Sequence, residues 1–126
     1  MPYTVFHWDE REWHPRREGD PRLVSELSDV MTRSRANLYR YPAGAVGRRH
    51  SDPVQEEVFV VLGGTLTVHM GEGDDPEQHE LGSGSVLVVQ PGTVLQLSNR
   101  HDEELRLFVY GAPPERGEAT FYPIVE

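Results

Sequence analysis

The sequence predicts an all-β fold, a sandwich or barrel of short antiparallel strands. Short apolar runs recur along the chain, and turns rich in glycine and proline separate them at intervals of roughly 8–12 residues. The chain of 126 residues contains 12 glycines and 10 prolines and no long helical pattern. Its length suits one hydrophobic core, so we expect a single domain over residues 1–126.

The strands are expected in a regular series. Residues 1–8 alternate in side-chain character and are predicted to form an edge strand, whereas the charged residues 9–22 are predicted to form a surface loop. The remaining strands each end at a turn: 38–41, 58–62, 65–70, 78–81, 86–89, 94–98, 105–110 and 119–125. This spacing favours a closed β architecture.

Composition excludes several classes of function. The net charge is −9 and the pI is near 5.1, so a nucleic-acid or anionic-membrane partner is not expected. Without cysteine there is no disulfide or thiolate site, and without lysine there is no Schiff base. No stretch approaches the roughly 20 apolar residues of a membrane span. The N-terminus carries no secretion signal, so a cytoplasmic location is expected.

One segment combines spaced glycines with candidate metal ligands. Five residues separate Gly44 from His50, and Asp52 follows His50 by two positions. Four residues then separate Asp52 from Glu57, and six separate Glu57 from Gly64. In a strand, residues two apart face the same side, so His50 and Asp52 are predicted to face one way, with Glu57 converging from the next strand.

A second segment runs from Gly84 through Pro91 and Gly92 to Asn99. The two segments, about 44–64 and 84–99, resemble the two conserved motifs of the cupin superfamily. The proline lies one position later than in the family pattern. The resemblance implies a double-stranded β-helix, or jelly-roll, barrel.

In that family two histidines and a glutamate of the first motif and a histidine of the second hold a metal. Asp52 stands here at the second histidine position, and Leu95 stands at the motif-two histidine position. His50, Asp52 and Glu57 therefore remain as candidate ligands for a divalent metal such as Mn, Fe, Ni or Zn. One imidazole and two carboxylates favour Mn or Mg over Ni or Cu.

The alternative is a metal-free pocket in which His50 pairs with Glu57. Strand parity turns further residues inward: Tyr39, Tyr41, Arg48, Phe59, Val61, Leu95 and Leu97. Each aromatic residue also fits ordinary core packing, and Arg48 also fits an exposed turn beside Arg49. An aromatic wall with an arginine suits a small polar or anionic organic molecule.

Three functions stay open from the sequence. The first is a barrel that binds a small organic molecule, either metal-free or with weak metal binding. The second is an enzyme: a metal-dependent dioxygenase or isomerase using His50, Asp52 and Glu57, or a metal-free enzyme with His50 as acid or base. The third is a structural dimer module. A homodimer is expected in each case, with residues 1–8 as the edge that pairs.

Overall fold

The computed structural model describes residues 2–126 and contains two antiparallel five-stranded sheets. The elements, in chain order, are a 3-10 turn at Trp8–Glu10, β1 Leu23–Glu26, a 3-10 turn at Ser28–Val30, β2 Arg35–Tyr41, β3 Val46–Ser51, β4 Glu56–Gly63, β5 Leu66–Met70, β6 Glu77–Leu81, β7 Val86–Val89, β8 Leu95–Ser98, β9 Leu105–Ala112 and β10 Thr120–Tyr122. The predicted all-β class is confirmed.

Consecutive strands alternate between the two sheets from β2 to β5 and from β6 to β10, whereas β1–β2 and β5–β6 are neighbours within one sheet. The first sheet has the order β1-β2-β9-β4-β7, and the second has the order β10-β3-β8-β5-β6. This arrangement is the double-stranded β-helix that the motif resemblance implies. Within residues 2–126 no helix has the length and apolar character needed to cross a membrane.

The core lies between the inner faces of the two sheets. In β4 buried side chains alternate with more exposed ones: Phe59 and Val61 are buried, whereas Glu56 and Leu62 are exposed. The other buried apolar side chains of this cluster are Val24, Tyr39, Tyr41, Ala45, Leu66, Val68, Val89, Leu95, Leu97, Leu105, Leu107 and Val109.

Two residues of the sequence motifs, Gly64 and Asn99, lie in connections between strands. Gly64 adopts a φ of +76°, and a side chain there would collide with the Glu104 carbonyl. The Asn99 side-chain amide donates to the carbonyl oxygens of Tyr41 at 3.0 Å and Glu103 at 2.7 Å. Both residues therefore fix connections between strands.

The N-terminal segment does not form the predicted edge strand. Residues 2–7 contain no strand, and Trp8–Glu10 forms a 3-10 turn. Phe6, Trp8 and Trp13 instead pack against the buried Leu38 on the outer face of β2. That face is apolar, so the aromatic side chains cover it rather than pairing along a sheet edge. The prediction of a strand at residues 1–8 is wrong over the described residues, and Met1 lies outside them.

Candidate functional site

A cavity of about 140 Å³ lies between β2 and β4 of the first sheet and β3 of the second. Most residues predicted for the pocket line it: Tyr39, Tyr41, Arg48, His50, Asp52, Glu57 and Phe59. Leu97 and Val109 add to its apolar wall. Leu95 is not on that wall and is buried in the core, although it is the cross-strand partner of His50.

The wall of this cavity is rich in arginine. Six of the chain's 12 basic residues, all of them arginines, line it. We call these residues the arginine cluster: Arg16, Arg17, Arg22, Arg35, Arg48 and Arg116. Only two carboxylates, Asp52 and Glu57, lie on the same wall. A protein of net charge −9 therefore encloses a cavity with a positive wall.

Glu57 is paired with Arg35, and not with His50 as the sequence suggested. The Arg35 guanidinium donates to Glu57 at 2.8 Å and to the side-chain oxygen of Gln55 at 2.9 Å, and all three residues are buried. Arg35 and Glu57 are both cross-strand neighbours of Gly111. A side chain at Gly111 would press on the guanidinium at 3.3 Å, so the glycine leaves room for the pair.

A second ionic group supports the opposite side of the cavity. Asp20 accepts hydrogen bonds from Arg22 at 2.8 Å and 2.9 Å and from Arg17 at 3.1 Å. Burial opposes the charge of Arg22, but the bond to Asp20 raises the pKa of Arg22 above its ordinary value. Arg22 also lies 3.5 Å from the Tyr41 hydroxyl, whose pKa is raised by burial.

The remaining cluster members have no carboxylate partner among residues 2–126. Arg16 donates to the Tyr39 hydroxyl at 2.7 Å. Arg48 lies over the Phe121 ring, with its guanidinium carbon 4.1 Å from the ring centroid. Arg116, in the segment after β9, is exposed overall, but partial desolvation of its guanidinium and the charges of Arg35 and Arg16 lower its pKa. These guanidinium groups retain donors that a ligand can use.

His50 is half-buried on the cavity wall. Its Nδ1 lies 3.3 Å from the Arg48 carbonyl oxygen. A carbonyl only accepts, so Nδ1 carries the proton in this bond and Nε2 holds the lone pair. Burial lowers the pKa of His50 below its usual 6.5. His50 is therefore neutral at pH 7 and can accept a proton or a hydrogen bond through Nε2.

Asp52 lines the cavity but also anchors backbone. β3 ends at Ser51, and the Asp52 carboxylate accepts from the backbone N–H groups of Val54 at 2.8 Å, Gln55 at 3.0 Å and Gly117 at 3.3 Å. Burial opposes the charged form, but these bonds lower the pKa of Asp52. Asp52 thus ties the turn before β4 to the segment that carries Arg116.

The predicted metal ligands do not fit a divalent metal. Among residues 2–126 no three histidine, aspartate or glutamate side chains are grouped to share an ion. Asp52 is held by backbone amides and Glu57 by Arg35, a cation that would repel a metal at this position. Leu95 supplies no ligand. The set His50, Asp52 and Glu57 is therefore brought to one cavity without forming a coordination site.

Sequence reasoning missed most of the arginine cluster. Arg16, Arg17 and Arg22 belong to the charged stretch that was predicted to be a surface loop, yet they line the cavity. Arg35 and Arg116 lie outside both motifs, and their inward direction depends on tertiary pairing. The one available signal was the use of arginine alone for every basic position.

Comparison with known proteins defines the family. The chain belongs to the cupins, because a family model described as "Cupin domain" matches residues 37–111. The matched range contains both sequence motifs, most of β2, all strands from β3 to β8 and most of β9; it includes the cavity residues of β3 and β4 and, on β2, Tyr39 and Tyr41. No curated protein matches the chain.

Several solved structures share the fold. An uncharacterized conserved protein with a double-stranded β-helix domain from Klebsiella pneumoniae is 19% identical, with a TM-score of 0.77 over 96% of this chain and 98% of that chain. A sugar phosphate isomerase of the cupin superfamily from Silicibacter pomeroyi is 22% identical, with a TM-score of 0.81 over 96% and 83%. The polyketide cyclase RemF from Streptomyces resistomycificus is 17% identical, with a TM-score of 0.81 over 98% and 88%. At these identities the likeness is one of fold.

The Arg35–Glu57 pair predicts unequal effects of two substitutions. Glu57→Gln should lower the free energy of unfolding by about 3 kcal/mol, because it leaves a buried guanidinium without its counter-charge. His50→Gln, which breaks no ion pair, should cost less than about 1 kcal/mol. Urea denaturation of both variants measures the difference. Equal costs would contradict a dominant contribution of the Arg35–Glu57 pair to stability.

The lowered pKa of Asp52 predicts that this residue contributes to stability in a pH-dependent way. Its pKa in the folded chain lies below the ordinary 3.8, so its contribution is present above that pH and is lost as the pH falls through the folded pKa. Asp52→Asn should therefore lower the free energy of unfolding by about 1–2 kcal/mol near pH 7. The parent and variant should converge below pH 3.8. A difference that is constant down to the acid transition would contradict this role.

Proposed function

We propose that this cupin binds a small anionic organic molecule in the barrel cavity. The observation that supports the proposal most strongly is the arginine cluster, which lines the cavity with only two carboxylates beside it. Both of those carboxylates already have partners, Glu57 in Arg35 and Asp52 in backbone amides. A ligand that brings negative charge would satisfy the remaining guanidinium donors.

The rest of the wall suits an organic body attached to the acidic group. Tyr39, Tyr41 and Phe59 are buried on one side, and Phe121 lies exposed at the rim beneath Arg48. Carbon atoms of a ligand would contact these rings while its anionic group meets the guanidinium groups. A neutral His50 could accept a ligand hydroxyl proton, so an acid–base step at His50 is the enzymatic form of this proposal.

Binding of matched anions and neutral amides tests the proposal. Propionate and succinate should raise the melting temperature of the parent protein, whereas propionamide and succinamide should not, because only the acids bring charge. Arg48→Gln should weaken succinate binding by about tenfold in a calorimetric titration, the loss of one charge-assisted contact. Arg48 is exposed, so this variant should fold normally.

Arg33→Gln is the matched control, because Arg33 is exposed and lies outside the cavity wall. It changes the net charge by the same amount and should leave succinate affinity unchanged. Equal binding of acids and amides, or equal losses in the two variants, would contradict the proposal.

We also propose that the partner of the chain is a second copy of itself, bound through the outer face of β7. Val86 and Val88 are 58% and 56% exposed, and their cross-strand partners are Val60 and Val58 of β4. β7 is an edge strand, so its outer backbone groups are unpaired within the sheet. Two β7 strands related by a twofold axis would pair edge to edge, continue the sheet and bring the exposed valines of the two copies side by side on its outer face.

Sedimentation velocity tests this interface. Val88→Glu should shift the protein from dimer to monomer, because it introduces a charge at the centre of the apolar face. Gln90→Glu adds the same charge at an exposed position just beyond β7 and should leave the dimer intact. A monomeric parent, or a Val88→Glu variant that remains dimeric, would contradict the interface.

A further inference from the structure

The arginine cluster is divided between the two ends of β2. Arg35 begins this strand and pairs with Gly111, whereas Tyr41 ends it and pairs with Leu105. The Cα atoms of Arg35 and Tyr41 are therefore roughly 20 Å apart along an extended strand. Arg22 lies at the Tyr41 end, within reach of that hydroxyl. Arg35 and Arg22 therefore reach the cavity from opposite ends of β2.

We call the group of arginines at each end of the cavity a pole. The first pole, at the Tyr41 end of β2, consists of Arg17, Arg22 and Arg48. Asp20 forms salt bridges with both Arg17 and Arg22, so these two cations share one carboxylate. Arg48 has no carboxylate partner among residues 2–126. A second cavity of about 160 Å³ opens beside the main one, and the same three arginines line it together with Glu18 and Asp20. This end of the site therefore offers Arg48 and spare donors of Arg22 to an anionic group.

The second pole consists of Arg35 and Arg116. Gln55 bonds Arg35 and also donates to the carbonyl oxygens of Pro113 and Pro114, which brings the segment carrying Arg116 beside Arg35. Arg35 is neutralised by Glu57, and Arg116 has no ion pair among the described residues. Asp52 lies on this side and its charge acts on Arg116, but it forms no ion pair with it, and its Oδ1 accepts from three backbone N–H groups.

Arg16 lies between the poles, bonded to the Tyr39 hydroxyl. His50 also lies between them, because β3 runs from Arg48 at one pole to the Asp52 turn at the other. A phosphate monoester, with both charges on one group, would satisfy one pole only. Two acidic groups at the ends of a short carbon chain would satisfy both.

From this arrangement we infer that the ligand is an organic dianion with two separated acidic groups, such as a dicarboxylate. One group meets Arg48 at the first pole and the other meets Arg116 at the second. The carbon chain between them passes His50 and the tyrosines. This inference rests on the proposed function and narrows its ligand class.

A calorimetric series of dicarboxylates from malonate to pimelate tests the inference, with the monoamide of each acid as its matched partner. The monoamide keeps the length and removes one charge. At the best length the diacid should bind at least about tenfold more tightly than its monoamide, the gain from a second charge-assisted contact. Inorganic phosphate, which carries its charge on one group, should bind no better than a monoamide.

Two arginine variants separate the poles. Arg48→Gln and Arg116→Gln should each abolish the diacid advantage while monoamide binding persists at the other pole. Both positions are exposed, and Arg33→Gln should retain the full advantage. In the double variant Arg48→Gln/Arg116→Gln, monoamide binding should be lost as well.

The outcomes are distinguishable. Monoamides that bind as tightly as diacids, or phosphate that binds more tightly than every diacid, would overturn the dianion inference and leave an anion site. Binding of no anion at all would overturn the proposed function itself. A diacid advantage that survives both single variants would show that these two arginines do not define the poles and would also overturn the inference.

Discussion

A guanidinium group buried in a small barrel needs a counter-charge and room, and the Arg35–Glu57 pair over Gly111 supplies both. Gln55 extends this pair to the carbonyl oxygens of Pro113 and Pro114, so the pair also fixes the course of the chain after β9. The same chain segment carries Arg116 along the cavity wall. The buried ion pair is thus connected through Gln55 to the segment that carries a cation on the cavity wall.

This pair also explains why a cupin barrel here does not assemble metal ligands. Glu57 keeps the motif position but accepts from a permanent cation, and Asp52 keeps a carboxylate but binds backbone amides. Leu95 fills core space beside His50. Arginines place positive charge along the wall of the cavity. His50, neutral at pH 7, remains the titratable group near its centre.

Local pattern was enough to predict the fold and part of the site. Most strands from β2 onward end at glycine or proline turns, and strand parity correctly turned His50, Glu57 and Phe59 toward one space. Apolar runs did not predict β3, because its sequence, Val46–Ser51, is mostly polar. Its role came from the motif spacing alone.

The partners of the site residues could not be predicted in this way. Arg35 meets Glu57 only because β2 and β4 flank β9, a long-range pairing that a linear pattern does not encode. Arg22 and Arg16 belong to an irregular segment without periodicity, so nothing local indicates which way they face. The N-terminal residues alternate in side-chain character as a strand would. Their aromatic side chains instead pack against the apolar outer face of β2 and cover it.

The central claim is that the barrel cavity is an anion site formed by arginines, and anomalous diffraction from crystals soaked in selenate tests it most directly. Selenate carries two negative charges and an element that can be located without ambiguity. We expect an anomalous peak inside the cavity, within hydrogen-bonding distance of Arg48 or Arg116. Selenate found only at exposed arginines such as Arg33, with none in the cavity, would contradict it.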